Sequence, residues 1–325
     1  MIRKNLLMLM ILMLELVLLG CNTEVQSVEN KKDYYGVSRE ADGYYYISSL
    51  TTGLKKNKLD GRTSFILYDK KGLLWVPYER EYDYKVGSKV DIYKDEKIVR
   101  TISVENRPVK IIEGNVMNAV ICEVNGEKGR VVFVNNSTFE VIKTVEIEGN
   151  PTDAIFDEGA LFVTSDNLVK NVDSFVHKIN VRDYSINTTI IKDSRRINSI
   201  QEYKDFIYVG VLSYDKKEYT NLVKLKKADL TVEKEIKVEF SPLEIKKQGD
   251  KLYLLHFSYN TDPVWGGVMT IFDLQNETTR EVDIPITANH IFLDSGKILF
   301  SSSYSEQYVE YSLENNSLKE HTSAK

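Results

Sequence analysis

Cysteine is nearly absent from the 325 residues, with only Cys21 and Cys122 present. A disulfide framework therefore cannot carry the fold, and stability must come from a buried core. Apolar residues make up 42%, enough for such a core. Only four histidines occur, His177, His256, His290 and His321. None falls in an HxH, HExxH or paired-cysteine spacing, so no zinc site is signalled. Phosphate-binding glycine loops, a GxSxG elbow and a calcium loop are also missing, and no cofactor is called for. Charges of both signs are interspersed, and the net charge is −5. Without a basic block there is no nucleic-acid footprint. Tryptophan (2) and proline (6) are scarce, whereas tyrosine (20) is abundant. Tyrosine suits half-buried strands, where the ring packs and the hydroxyl stays wet.

The amino terminus differs from the rest. Arg3 and Lys4 precede an apolar run at residues 6–19, broken only by Glu15, and Leu18-Leu19-Gly20-Cys21 follows. A basic start, a short apolar core and a small residue before the cut describe a secretory signal; the run is short for a bilayer span. The tetrad resembles the lipobox of bacterial lipoproteins. That resemblance implies cleavage before Cys21, diacylglycerol on its thiol and acylation of the new amino terminus. Each buried methylene adds about 0.8 kcal/mol, so two or three acyl chains make a stable anchor. Glu15 departs from the pattern, because a carboxylate in the apolar run costs insertion energy. The expected layout is a signal peptide at 1–20, a lipidated cysteine and flexible tether at 21–33, and a folded domain at 34–325. The expected location is the cell membrane, lipid-anchored on its extracytoplasmic face. With Cys21 acylated, Cys122 has no partner and reads as a small core residue in Ala119-Val120-Ile121-Cys122.

The remainder repeats. Apolar triplets recur as Leu74-Trp75-Val76, Ala119-Val120-Ile121, Leu161-Phe162-Val163, Ile207-Tyr208-Val209, Leu252-Tyr253-Leu254 and Ile298-Leu299-Phe300. Their starts lie 45, 42, 46, 45 and 46 residues apart, which signals a repeat architecture. A strand precedes each triplet, and a turn such as Asp157-Glu158-Gly159 links the two. A third strand, a polar turn and a fourth strand complete the unit. Period-2 alternation and β-branched residues favour strands throughout. Four antiparallel strands at this period predict an all-β fold, a β-propeller of four-stranded blades. Residues 131–165 resemble the YVTN-type repeat of bacterial surface β-propellers. The resemblance lies in Asn135-Asn136, Val141-Ile142, Gly149-Asn150-Pro151 and Leu161-Phe162-Val163. Seven blades are expected, the first built from N-terminal strands including residues 44–61. Six blades with an N-terminal extension is the alternative.

The connections after the second strands are rich in Tyr, Asp and Asn and should share one face of the ring. They carry Tyr78, Tyr82 and Asp83, then Asp166 and Asn167, then Tyr214 and Asp215. The longest holds Tyr259, Asp262 and Trp265, and the last holds Tyr304. Aromatic rings stack on sugars and give area at low entropy cost, while carboxylates and amides bind hydroxyls. The candidate ligand-binding residues are therefore Tyr82, Asp83, Tyr214, Asp215, Tyr259, Asp262, Trp265 and Tyr304. Polar loops in a tyrosine-rich protein are the bland reading of the same residues. The functional expectation is a binding module for an envelope glycan, peptide or protein. The alternative is an extracellular hydrolase or lactonase with carboxylates or a metal in the channel, for which His290, Asp153 and Glu244 on first strands are the candidates.

Overall fold

The computed structural model describes residues 35–322 apart from 40–44, 50–55, 64, 82–84, 96, 168–172, 193, 195, 213–220, 239–241, 257–266, 287, 289, 295 and 302–306. The described residues form strands and turns with no helix. The chain divides into two compact units, one reaching residue 124 and including 129–146, the other made of 125–128 and 147–324.

In the first unit β1 (Tyr35–Arg39), β2 (Tyr45–Ser49) and β3 (Lys56–Lys58) make a three-stranded sheet. Then come β4 (Gly61–Arg62), β5 (Leu67–Tyr68), β6 (Leu74–Pro77), β7 (Arg80–Glu81), β8 (Lys89–Lys94) and β9 (Lys97–Ser103). β5-β6-β8-β9 is a four-stranded sheet, and β4 pairs with β7. β10 (Arg107–Ile112), β11 (Met117–Asn125), β12 (Lys128–Asn135) and β13 (Val141–Glu148) make the next sheet, most of it in this unit. Trp75, wholly buried, anchors the core, and Phe139 packs edge-on to it at 6.0 Å. Cys122 lies in the same core and is wholly buried.

The second unit holds four more four-stranded meanders. They are β14 (Asn150–Asp157) to β17 (Ile186–Ile191), through β15 (Ala160–Asp166) and β16 (Ser174–Asn180); and β18 (Arg196–Tyr203) to β21 (Val232–Lys237), through β19 (Phe206–Leu212) and β20 (Asn221–Lys226). Then follow β22 (Pro242–Gln248), β23 (Lys251–His256), β24 (Gly267–Asp273) and β25 (Thr278–Ile284), and finally β26 (His290–Asp294), β27 (Lys297–Ser301), β28 (Gln307–Ser312) and β29 (Leu318–Thr322). Among the described residues there are thus six four-stranded antiparallel sheets.

The second strands are apolar on both faces, and the packing shows why. In β19, Ile207, Val209 and Val211 join one core cluster, whereas Tyr208 joins another. In β23, Leu252 and Leu254 face one cluster while Tyr253 and Leu255 face the next. Side chains alternate across a strand, so each of these sheets is buried on both sides by its neighbours. Each fully buried aliphatic side chain contributes roughly 1.5–3 kcal/mol.

Turns repeat as faithfully as strands. After the third strand a main-chain N–H bonds back four residues: Phe139 to Asn135, Tyr184 to Asn180, Leu230 to Lys226, Glu277 to Asp273. The donor residue is left-handed each time, with φ of 59°, 60°, 62° and 53°. The strain of such a residue is offset by this bond and by Asx contacts such as Asn135 Oδ1 accepting from Ser137 N at 2.8 Å.

Three of the second unit's four first strands carry a bulge, between Pro151 and Asp153, Ile197 and Ser199, and Pro242 and Glu244. The residue after each bulge bonds to the next sheet. Asp153 Oδ2 accepts from Ile200 N (3.1 Å), Ser199 Oγ from Ile245 N (3.2 Å) and Glu244 Oε2 from Ile291 N (3.1 Å). Bulges re-aim side chains, and here they turn three repeat-equivalent residues into links between sheets.

Candidate binding site: a groove between two sheets

In a meander the first-to-second and third-to-fourth turns share one end, and the second-to-third connections share the other. At the turn end of the second unit, a groove of about 450 Å³ opens between the β14–β17 and β18–β21 sheets. That volume lies within the range of small-ligand sites. One wall is the hairpin Asp157-Glu158 with Lys178 of β16; the other is Asp205 and the turn Lys226-Lys227-Ala228. Ala160, Phe162 and Phe206 supply its apolar surface.

Local sequence explains the walls. Asp157 pairs with Ala160, leaving the two-residue loop Glu158-Gly159 with φ of 43° and 83°. Both positive values mark the primed hairpin turn that matches strand twist. Lys227 is held by Asp157 at 2.5 Å and lies 3.9 Å from Glu202. Lys178 Nζ donates to the Ala228 carbonyl at 2.9 Å, and Asn187 Nδ2 donates to the Asp229 carbonyl at 2.9 Å. Lys226 pairs with Glu233 at 3.1 Å. Glu158 and Asp205 are exposed on the rim. The result is a largely self-neutralised cleft with an apolar lining and two outlying carboxylates. It suits a polar, partly apolar chain segment.

A serine–histidine pair lies elsewhere in the same unit. His177 Nε2 is 2.9 Å from Ser165 Oγ and 2.9 Å from the Glu148 carbonyl, and Nδ1 is 3.0 Å from Thr188 Oγ1. Ser165 Oγ donates to Glu148 O at 2.6 Å. The consistent tautomer carries its proton on Nε2. Burial pushes the imidazole down to about 4, against the opposing pull of the Glu148 carbonyl, so it is neutral at pH 7. Both side chains are sealed from solvent, and the pair acts as an internal clasp. Asp153 and Glu244, the first-strand carboxylates, are engaged by the adjoining sheet as described, and Glu244 also pairs with Lys246 at 2.8 Å.

Cys21, Tyr82, Asp83, Tyr214, Asp215, Tyr259, Asp262, Trp265 and Tyr304 all lie outside the described residues. Two other loop expectations are corrected. Tyr78 is wholly buried, with its hydroxyl 3.3 Å from that of Tyr93 and Lys89 Nζ over its ring at 4.7 Å. Asp166 is the last residue of β15 and also wholly buried, with Arg196 Nε at 3.4 Å. A polar or aromatic residue just past an apolar triplet looks the same in sequence whether the strand has ended or not. The groove was missed for the opposite reason: its charged pairs, Asp157-Glu158 and Lys226-Lys227, look like ordinary turn residues. Only their places at the same-end turns of adjacent repeats, first-to-second in one and third-to-fourth in the next, hinted at a shared edge.

No protein-family model matches the chain, and no curated protein matches its sequence. Solved structures do match its fold. Dihydro-heme d1 dehydrogenase NirN in complex with DHE aligns at a TM-score of 0.64 and 12% identity, over 91% of this chain and 65% of that one. BamB from Moraxella catarrhalis aligns at 0.60 and 11% identity, over 86% and 82%. A chain of the mitotic checkpoint complex aligns at 0.58 and 13% identity, over 92% and 84%. At such identities the likeness carries the fold alone. Together with the six four-stranded meanders among the described residues, it identifies the class: this is a β-propeller protein.

Proposed function

We propose that the protein is a lipid-anchored, extracytoplasmic β-propeller that works as a binding module for a peptide or protein of the cell envelope. The groove between the β14–β17 and β18–β21 sheets carries this reading, because it joins apolar surface to carboxylates at its rim. The lipobox-like Leu18-Leu19-Gly20-Cys21 supports the anchor. The propeller class supports an interaction role, and the mitotic checkpoint complex is an assembly in which a similar fold takes part. The carboxylates of Asp153 and Glu244 serve to join sheets, which weakens the hydrolase alternative.

The test is thermal unfolding of the Cys21→Ser chain against peptides and cell-wall glycans. A ligand of the native state stabilises by about 2.7 kcal/mol at a hundredfold excess over its Kd. A peptide-induced rise that is lost in Glu158→Lys/Asp205→Lys supports the reading. A rise with glycan alone would replace it by a glycan-binding role; a peptide-induced rise unchanged by the charge reversal would move the site away from the groove.

A further inference from the structure

The six outer strands are sheet edges, and an edge offers unpaired main-chain groups to any extended chain. Proteins protect such edges with charges, prolines or bulges. Five of the six follow the rule. β9 carries Lys97 and Arg100, β13 carries Lys143 and Glu146, and β21 carries Glu233, Lys234 and Glu235. β25 carries Arg280, Glu281 and Asp283, and β29 carries Lys319 and Glu320. β9 and β21 also break register against their neighbours.

β17 has none of these defences. Its sequence, Ile-Asn-Thr-Thr-Ile-Ile, is uncharged, free of proline and paired one-for-one with β16. Ile186 and Ile190 are 41% and 50% exposed. The edge also runs into the groove: Asn187 is the cross-strand partner of Lys178, which lines it. The lysines there are engaged by Asp157, Glu233 and the Ala228 carbonyl. Among the described residues no cation pairs with Glu158 or Asp205, so the rim favours a basic group. A six-residue strand spans about 20 Å. At one inter-strand spacing of about 4.8 Å such an edge covers on the order of 100 Å², far less than the roughly 800 Å² per partner of a stable protein interface, which favours a flexible segment over a second folded copy.

We infer that β17 is a strand-addition site: it pairs with an extended, uncharged segment of a protein partner, rich in β-branched residues, whose flanking basic residue meets Glu158 and Asp205. Main-chain hydrogen bonds supply affinity in this mode, and alternate side chains supply specificity. The inference rests on the binding-module reading and deepens it.

The test is hydrogen–deuterium exchange on the full Cys21→Ser chain with a Lys-Thr-Val-Thr-Val-Thr-Val peptide, titrated to about 1 mM, the weak end of specific recognition. The amides of 186–191 are expected to slow by about tenfold or more. A copy N-methylated at alternate residues is expected to protect nothing. Ile186→Lys/Ile190→Lys, on exposed positions, is expected to keep its thermal midpoint and lose the protection. Saturable peptide binding that leaves these amides unchanged overturns strand addition while the binding-module reading stands. Absence of any peptide binding, or equal protection by the N-methylated copy, also overturns it. Concentration-dependent protection without peptide would assign the edge to a second copy instead.

Discussion

Asp166 and His177 are buried ionisable groups whose shifts oppose each other. Burial raises the Asp166 carboxyl from 3.8 to about 7, partly countered by Arg196. The folded state therefore holds that proton more tightly, and this contribution to stability is lost as pH rises from about 4 through 7. Burial lowers His177 from 6.5 to about 4, so its contribution is lost as pH falls from about 6.5 through 4. Asp166→Asn removes the first slope and leaves the second. The variant is expected to show a higher Tm than the parent at pH 8 and a steeper loss of Tm on acidification from pH 7 to 4; parallel curves would show that the carboxylate is solvated. Cys122 is a second residue-scale case, since burial pushes its thiol up to about 12. In the Cys21→Ser chain it should resist iodoacetamide at pH 8 until denaturant is added, as read by mass spectrometry. Gly149 is a third. It sits at φ +77°, and a Cβ there would lie 2.8 Å from both the Asp166 carbonyl and Ser165 Oγ. Gly149→Ala should lower the denaturant midpoint well beyond Gly159→Ala, whose Cβ meets open space and which pays only for its positive φ, about 1 kcal/mol.

At the scale of elements, the recurring device is the first strand with its bulge. Asp153, Ser199 and Glu244 differ in chemistry yet each accepts the N–H of the same repeat position, Ile200, Ile245 and Ile291. An oxygen at that place is what the fold requires. Asp153→Ala leaves the buried Ile200 N–H without its acceptor and should cost about 1–3 kcal/mol in urea unfolding. Asp153→Asn keeps an oxygen and should cost clearly less; equal losses would mean that charge, rather than the acceptor, matters. The third-to-fourth turns make the same point. Phe139 and Tyr184 are aromatic, Leu230 is aliphatic and Glu277 is acidic, yet all adopt the left-handed region. The backbone bond defines the turn, so residue type leaves only a faint trace there.

At the scale of the whole molecule, the 45-residue period reflects a packing need. A meander with two apolar faces is insoluble alone and is stable only between two others. The lipid anchor proposed at Cys21 is the other whole-chain property, and it is tested separately from binding. Cys21→Ser should abolish fatty-acid labelling and move the protein from the membrane to the soluble fraction; undiminished labelling would end the lipoprotein reading.

The period of the apolar triplets determined the class of fold, because alternation and spacing are set by covalent geometry that every strand shares. Trp75, inside its triplet, and Cys122, which directly continues the run Ala119-Val120-Ile121, were legible as core for the same reason, since such runs must be buried on both faces. The tertiary structure decided what depends on neighbours distant in sequence. It turned Asp153 and Glu244 from channel candidates into sheet links, and it drew Tyr78 and Asp166 from expected loops into the interior. It also assembled the groove from Asp157, Lys178 and Lys227, which lie on three different elements of two sheets. No local pattern records such meetings, since each arises only when adjacent meanders pack face to face.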